Sequence, residues 1–239
     1  MKKLRVLDLF SGIGGFSLGL ERAGGFETVA FCEIEEFPRK VLKKRWPDVP
    51  CFEDVRKLRV EDVGSVDVIC GGFPCQDISD AGKRRGIHAE RSKLWFEFER
   101  LIGEIRPRFA IIENVGALAR RGLSAILSGL AALGYDAEWR DIPAAFLGAP
   151  HKRSRIWILA YPQRCEWWPQ SYLGPIGRMG REQQSVPWDR NWQSALSEFR
   201  GLDDGLPRSV ASTDGYRNAV VPQIPELLGR AIMRAEGMA

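Results

Sequence analysis

Long apolar runs are missing from this chain: no stretch approaches the roughly 18 uncharged apolar residues that a membrane span requires. Paired Cys-x-x-Cys spacing is missing too. The five cysteines (Cys32, Cys51, Cys70, Cys75 and Cys165) are odd in number and irregularly placed, which argues against a disulfide framework and against a structural zinc site. A strong excess of one charge is also absent: a formal net charge of +4 is compatible with a polyanionic partner but does not imply one by itself. There is no internal repeat. The opening Met1-Lys2-Lys3-Leu4-Arg5 runs straight into a strand-like segment instead of the layout of a signal peptide. The expectation is a reduced, metal-free, soluble protein of the cytoplasm with no membrane partner.

What is present is enough for one sizeable core, with 239 residues of which 44% are hydrophobic. Apolar, β-branched runs at Leu4 to Phe10, Phe26 to Cys32, Val66 to Cys70 and Phe109 to Ile112 are bounded by glycine or acidic turns and read as strands. Helical spacing follows at Phe16 to Ala23, Lys93 to Ile105 and Leu123 to Leu133, the second closed by Pro107 and the third by Gly134. This alternation predicts an α/β fold with a mostly parallel sheet covered by helices. After a last strand-like run, Arg155 to Tyr161, the chain to about Pro207 is rich in glycine, proline and tryptophan (Trp167, Trp168, Trp188, Trp192) and loses periodicity. The segment Val221 to Ala235 then reads as an amphipathic helix.

Several short segments carry chemical groups at strand ends. Asp8-Leu9-Phe10-Ser11-Gly12-Ile13-Gly14-Gly15 follows a strand and opens a helix, so its glycines can bring backbone N–H groups close to a ligand. It departs from the G-x-G-x-x-G dinucleotide fingerprint, and a purely structural turn is the alternative. Glu33 closes the second strand, where a carboxylate can accept from ribose hydroxyls. Asp54 follows Phe52-Glu53 after an expected third strand and could accept from an adenine amino group. Taken alone, Glu33 reads better as an exposed strand-end carboxylate and Asp54 as a turn residue. Gly71-Gly72-Phe73-Pro74-Cys75-Gln76 sets Cys75 in a constrained loop at the carboxyl end of a strand, a good place for a nucleophile. Glu113-Asn114-Val115 ends the neighbouring strand at the same edge. Arg153 and Arg155 alternate on entry to another strand, so both face one side, where guanidinium groups can bind phosphate or a carbonyl oxygen; a solvated basic edge is the bland alternative.

In this order, the Asp8 to Gly15 loop, the Gly72 to Gln76 turn, the Glu113-Asn114-Val115 strand end and the Arg153-x-Arg155 pair resemble the cytosine-5 DNA methyltransferase family. The resemblance implies a Rossmann-like fold that uses S-adenosylmethionine without a metal. Three parts follow from it: a catalytic and cofactor-binding core over 1–161, a reduced target-recognition segment over 162–213, and a C-terminal piece over 214–239 that returns to the core. It implies Cys75 as the nucleophile, Glu113 as an acid whose pKa burial raises, Asn114 as its support, and Arg153 and Arg155 at the cytosine. Asp8, Phe10, Ser11, Gly12, Ile13, Gly14, Gly15, Ile34, Val55 and Pro74 would line the cofactor, Glu33 would bind its ribose and Asp54 would meet its adenine, with Asn218 and Val220 also at the cofactor. The partner would be double-stranded DNA with one cytosine extruded, gripped by the basic loop Ser79 to Lys93, in a bacterial or phage-infected cell. A restriction endonuclease or a separate recognition protein would be a natural companion.

Two positions depart from the family pattern. His151 stands where glutamine is usual, and Arg217 stands where glycine usually precedes Asn218-Ala219-Val220. The recognition segment is short as well. Two other functions therefore stand beside the first: an RNA cytosine-5 methyltransferase with transfer RNA as substrate, and a degenerate DNA-binding homologue that has lost turnover.

Overall fold

The strand β1 (Leu4–Leu9) is buried on both faces, since Leu4, Val6, Leu7, Asp8 and Leu9 are all inaccessible. A strand with no wet face must lie inside a sheet with cover on both sides. The computed structural model describes residues 2–74, 94–147, 153–163 and 219–238, and there it has that architecture. In chain order the elements are β1, α1 (Gly15–Arg22), β2 (Phe26–Cys32), α2 (Glu36–Arg45), β3 (Cys51–Phe52), α3 (Val60–Val63), β4 (Val68–Gly71), α4 (Leu94–Ile105) and β5 (Phe109–Val115). Then come α5 (Leu118–Arg121), α6 (Leu123–Ala132), β6 (Tyr135–Pro143), a short 3-10 turn (Ala144–Leu147), β7 (Ser154–Pro162) and α7 (Gln223–Ala235).

The seven strands lie in the order β3-β2-β1-β4-β5-β7-β6. β1 pairs in parallel with both β2 and β4, and β4 in parallel with β5. β7 runs antiparallel between β5 and β6. The chain winds outward from β1 to β3, then restarts at β4 on β1's other side. That reversal falls between β1 and β4, and the carboxyl ends of the strands at such a reversal are where open α/β sheets bind ligands.

Helices cover both faces. On one, Trp95, Phe98, Leu101 and Ile102 of α4 and Ile126 and Leu130 of α6 pack on Leu7, Leu9, Ile69 and Ile112. On the other, Phe16 and Leu20 of α1 and Ile224, Leu228 and Ile232 of α7 pack on Val6, Val68, Ile111 and Trp157. At the β2 side, Val41 of α2 meets Ile13 and Leu18. Burial of these side chains, at roughly 25 cal/mol per Å² of apolar surface, is the main term holding the sandwich together. Among the described residues no helix is long and apolar enough to cross a membrane.

Strongly patterned segments appear where the sequence placed them, with α1, α4 and α6 each within a residue or so of the expected bounds. Besides the one-turn helices α3 and α5, two longer elements do not stand out in the sequence. α2 buries only Pro38, Val41 and Leu42 among basic residues, so its apolar stripe is too thin to read; Pro38 is tolerated because it sits in the first turn. β6 is an edge strand, with Tyr135 and Ile142 buried and Asp136, Trp139, Arg140 and Asp141 exposed, so it lacks alternation. Most of the tryptophan-rich segment, from 164 to 218, lies outside the described residues, as do Cys75, the loop from Ser79 to Lys93, His151, Arg217 and Asn218.

Candidate active site

The glycine loop joins the end of β1 to the start of α1. Phe10 and Gly14 both have positive φ, 52° and 86°. For Phe10 this costs about 1 kcal/mol, and the ring rests in offset contact with Phe98 at 6.4 Å. Gly14 is the N-cap of α1 and has the rim of Trp46 where a side chain would begin, so neither its conformation nor its surroundings admit another residue. Ile13 is buried against Leu18 and Val41. Ser11 locks the loop to the next strand: its hydroxyl donates to the Asp8 carbonyl at 2.6 Å and accepts from the Cys32 N–H at 3.3 Å.

Asp8 ties the loop's two ends together. Its Oδ2 accepts from both the N–H (3.2 Å) and the hydroxyl (2.7 Å) of Ser17 in the first turn of α1. Complete burial pushes its pKa up to about 8, the two Ser17 bonds opposing the shift only in part. The neighbouring Cys70 thiol is pushed up as well, by burial and by Asp8, and stays neutral. A carboxyl that holds its proton more tightly folded than unfolded costs stability as pH rises from about 4 to about 8. Asp8→Asn keeps the acceptor for Ser17 and is neutral at every pH. Its melting temperature relative to the parent should therefore climb between pH 5 and pH 8, and parallel melting profiles would refute the assignment.

The second strand end carries Glu33, 7% exposed. Its two oxygens accept from Gly12 N–H at 2.7 Å and Glu35 N–H at 2.8 Å, so it ties the glycine loop to the β2 end. Burial raises its pKa, and the two N–H bonds resist that rise. Ile34 beside it is 63% exposed, an apolar side chain waiting for cover. Asp54 beyond β3 is already engaged: Oδ1 and Oδ2 each accept from Arg56 at 2.8 Å, which holds its pKa below the ordinary range. Val55 next to it is buried in the core. Backbone donors at a helix start, a buried carboxylate and an uncovered apolar side chain together suit a nucleoside with vicinal hydroxyls.

The third group sits at the ends of β4 and β5. Pro74 is the last described residue before Cys75. Asn114 holds the turn that leads there, donating from Nδ2 to the Phe73 carbonyl at 3.0 Å while its Oδ1 accepts from Val115 N–H at 2.9 Å. Glu113 pairs with Arg155 Nε at 2.9 Å, across the registered β5–β7 ladder. Its Oε2 lies so close to Gly72 that a Cβ there would stand 2.7 Å away. Burial raises the Glu113 pKa, with Arg155 and then Arg153 pulling it back down. Arg153 has a positive φ of 26° and donates to the Ala219 carbonyl at 2.7 Å. Val220 follows, its carbonyl packed against Gly15, so the residues just before α7 close over the glycine loop.

Thus Asp8, the Phe10 to Gly15 loop, Glu33, Asp54, Pro74, Glu113, Asn114, Arg153, Arg155 and Val220 all lie along one carboxyl edge of the sheet, while Cys75 and Asn218 lie outside the described residues. Sequence reasoning missed Ser17, for which a serine inside an apolar helical stripe was the available signal.

The mostly parallel sheet with one reversed strand matches that of a solved methyltransferase. An Escherichia coli prophage protein described as a DNA modification methyltransferase superposes with a TM-score of 0.56 at 29% identity, over 67% of this chain and 47% of that one. Residues 4–190 match the C-5 cytosine-specific DNA methylase family, and the chain belongs to it. Type II methyltransferases of Bacillus subtilis and of Escherichia coli are 38% and 40% identical over 165 and 179 residues, or 66% and 70% of this chain. Those alignments span 42% and 43% of the two relatives, so the chain matches about two fifths of their length.

Proposed function

We propose that this chain methylates carbon 5 of cytosine in double-stranded DNA, through a covalent adduct on Cys75. The observation that carries the reading is the Glu113–Arg155 pair, half-buried at the end of β5 against the Gly72 turn that leads to Cys75. Carbon 5 of cytosine is a poor nucleophile until something adds to carbon 6. The Cys75 thiolate makes that addition, and the displaced electron pair draws the Glu113 proton onto ring nitrogen 3. Arg155, already oriented by Glu113, donates to the ring oxygen, and Asn114 fixes the turn. S-adenosylmethionine, when bound, supplies an electrophilic methyl group to carbon 5. Loss of the carbon-5 proton to water then lets the carbon–sulfur bond break, returning Cys75 as thiolate and nitrogen 3's proton to Glu113.

The residues at the first three strand ends serve the cofactor. Glu33 accepts from the ribose, Ile34 covers the purine, Asp54 accepts from the adenine amino group, and the N–H groups opening α1 face the methionine end. Asn218 and Val220 close the pocket. The target cytosine must leave the duplex stack, which costs a few kcal/mol. In this reading 162–213 acts as a reduced recognition segment, and a separate recognition protein or a restriction endonuclease is its companion in the cytoplasm of a bacterial or phage-infected cell.

The test is transfer of labelled methyl from S-adenosylmethionine to mixed-sequence duplex DNA and, in parallel, to transfer RNA, with Cys75→Ser alongside and bisulfite sequencing of the product. Label on DNA cytosine, lost in Cys75→Ser, is expected. Label on transfer RNA alone would move the substrate to RNA. Cofactor binding with no transfer to either would mark a chain that has lost turnover.

A further inference from the structure

Between β2 and β3 the sheet is thin. Two residue pairs register, Phe31 with Cys51 and Cys32 with Phe52, and a last rung runs from Glu33 N–H to the Phe52 carbonyl at 2.9 Å. The ladder ends there, at the strand ends that carry Glu33 and Asp54. Arg39, in α2, bridges those ends. Its Nη1 donates to the Ile34 carbonyl at 2.9 Å and to the Glu33 carbonyl at 3.4 Å, and its Nη2 pairs with Glu53 Oε1 at 3.0 Å. The Arg39 side chain is 23% exposed and the Glu53 side chain 71%.

We infer that Arg39 is a positioning residue for the adenosine half of the cofactor, setting the distance between the ribose-binding end of β2 and the adenine-binding end of β3. This rests on the cofactor reading given above. An ion pair to a carboxylate as exposed as Glu53 contributes little to stability. The two carbonyl bonds, in contrast, fix the guanidinium in one plane, so its fork reaches Glu53 from a defined point. A lysine has one charged nitrogen and cannot serve both ends with that geometry. The arrangement also accounts for a basic residue facing inward on a helix whose other cations are Lys40, paired with Glu36, and Lys43, Lys44 and Arg45 in its last turn.

The test uses the full chain and calorimetric binding of S-adenosylhomocysteine and of S-inosylhomocysteine, which replaces the adenine amino group with a carbonyl. Arg39→Ala is expected to weaken S-adenosylhomocysteine about tenfold and Arg39→Lys about threefold. The preference for the adenosyl over the inosyl ligand should shrink in both, because Asp54 is no longer held in register. KM for S-adenosylmethionine should rise while kcat at saturation stays within about twofold. A loosened fold would not change the ratio of the two ligands. If the parent binds neither ligand, the cofactor reading falls and takes this inference with it. If the parent binds, Glu33→Ala does not, and the Arg39 variants match the parent, this inference alone is overturned. Should Arg39→Ala fail to fold, Arg39→Lys and Glu53→Gln decide the matter by the same ligand ratio.

Discussion

Glu113→Gln is expected to lower kcat for methyl transfer by about 1,000-fold while leaving the dissociation constant of S-adenosylhomocysteine within about twofold. Glutamine preserves the shape and one hydrogen bond, and removes only the transferable proton. Burial raises the Glu113 pKa against the pull of Arg155 and Arg153, so the acid form is better populated near neutrality than an ordinary glutamate's. The sign of the pH effect follows. Transfer by the parent should fall as pH rises through the raised pKa, since the proton that nitrogen 3 needs is then missing. The residual transfer of Glu113→Gln should lack that alkaline decline. Single-turnover rates across pH measure both, and a variant with parental kcat would remove Glu113 from the chemistry.

The second large effect is on the fold. A Cβ at Gly19 would stand 2.1 Å from the Pro222 carbonyl oxygen, 2.8 Å from Pro225 Cβ and 2.9 Å from Glu226 N. Helix propensity alone favours alanine over glycine by about 1 kcal/mol. The contacts overrule it, because backbone and a proline ring cannot step aside as a flexible side chain can. Gly19→Ala should cost about 3 kcal/mol, or about 10 °C in melting temperature for a chain of this size. Because Val220 sits on Gly15 just before α7, pushing α7 off α1 should weaken cofactor binding too. A melting temperature within about 2 °C of the parent would show that α1 and α7 are not rigidly packed.

How much of this was legible in the sequence depended on how each part is built. β1, β4 and β5 are buried on both faces, so their apolar runs announce themselves, and polar residues that interrupt the pattern at their ends make up the candidate site. Asp8, Glu113 and Asn114 could be found because a charge or amide at the end of such a run has no packing reason to be there. α2 and β6 hide because each touches the core along a narrow stripe. What could not be read was pairing. Nothing in the spacing of Glu113 and Arg155 says that β7 turns back beside β5, nor that Asp54 is engaged by Arg56 two residues on. Arg39 is the extreme case: its contacts to the Ile34 carbonyl and to Glu53 join two strand ends that are far apart in the sequence, a fact of three-dimensional register.

The two contacts that bracket the region from 164 to 218 share one property. On entry, Gln163 N–H meets the Gly134 carbonyl at 2.9 Å, and on return the Ala219 carbonyl meets Arg153 at 2.7 Å. Both involve main-chain atoms of the segment's ends, and a main-chain atom is the same whatever side chain it bears. At these two points the core is tied to the chain by features that every sequence possesses. Such a tie survives a change of side chain at 219, and at 163 any change but proline, which would remove the N–H that Gly134 accepts.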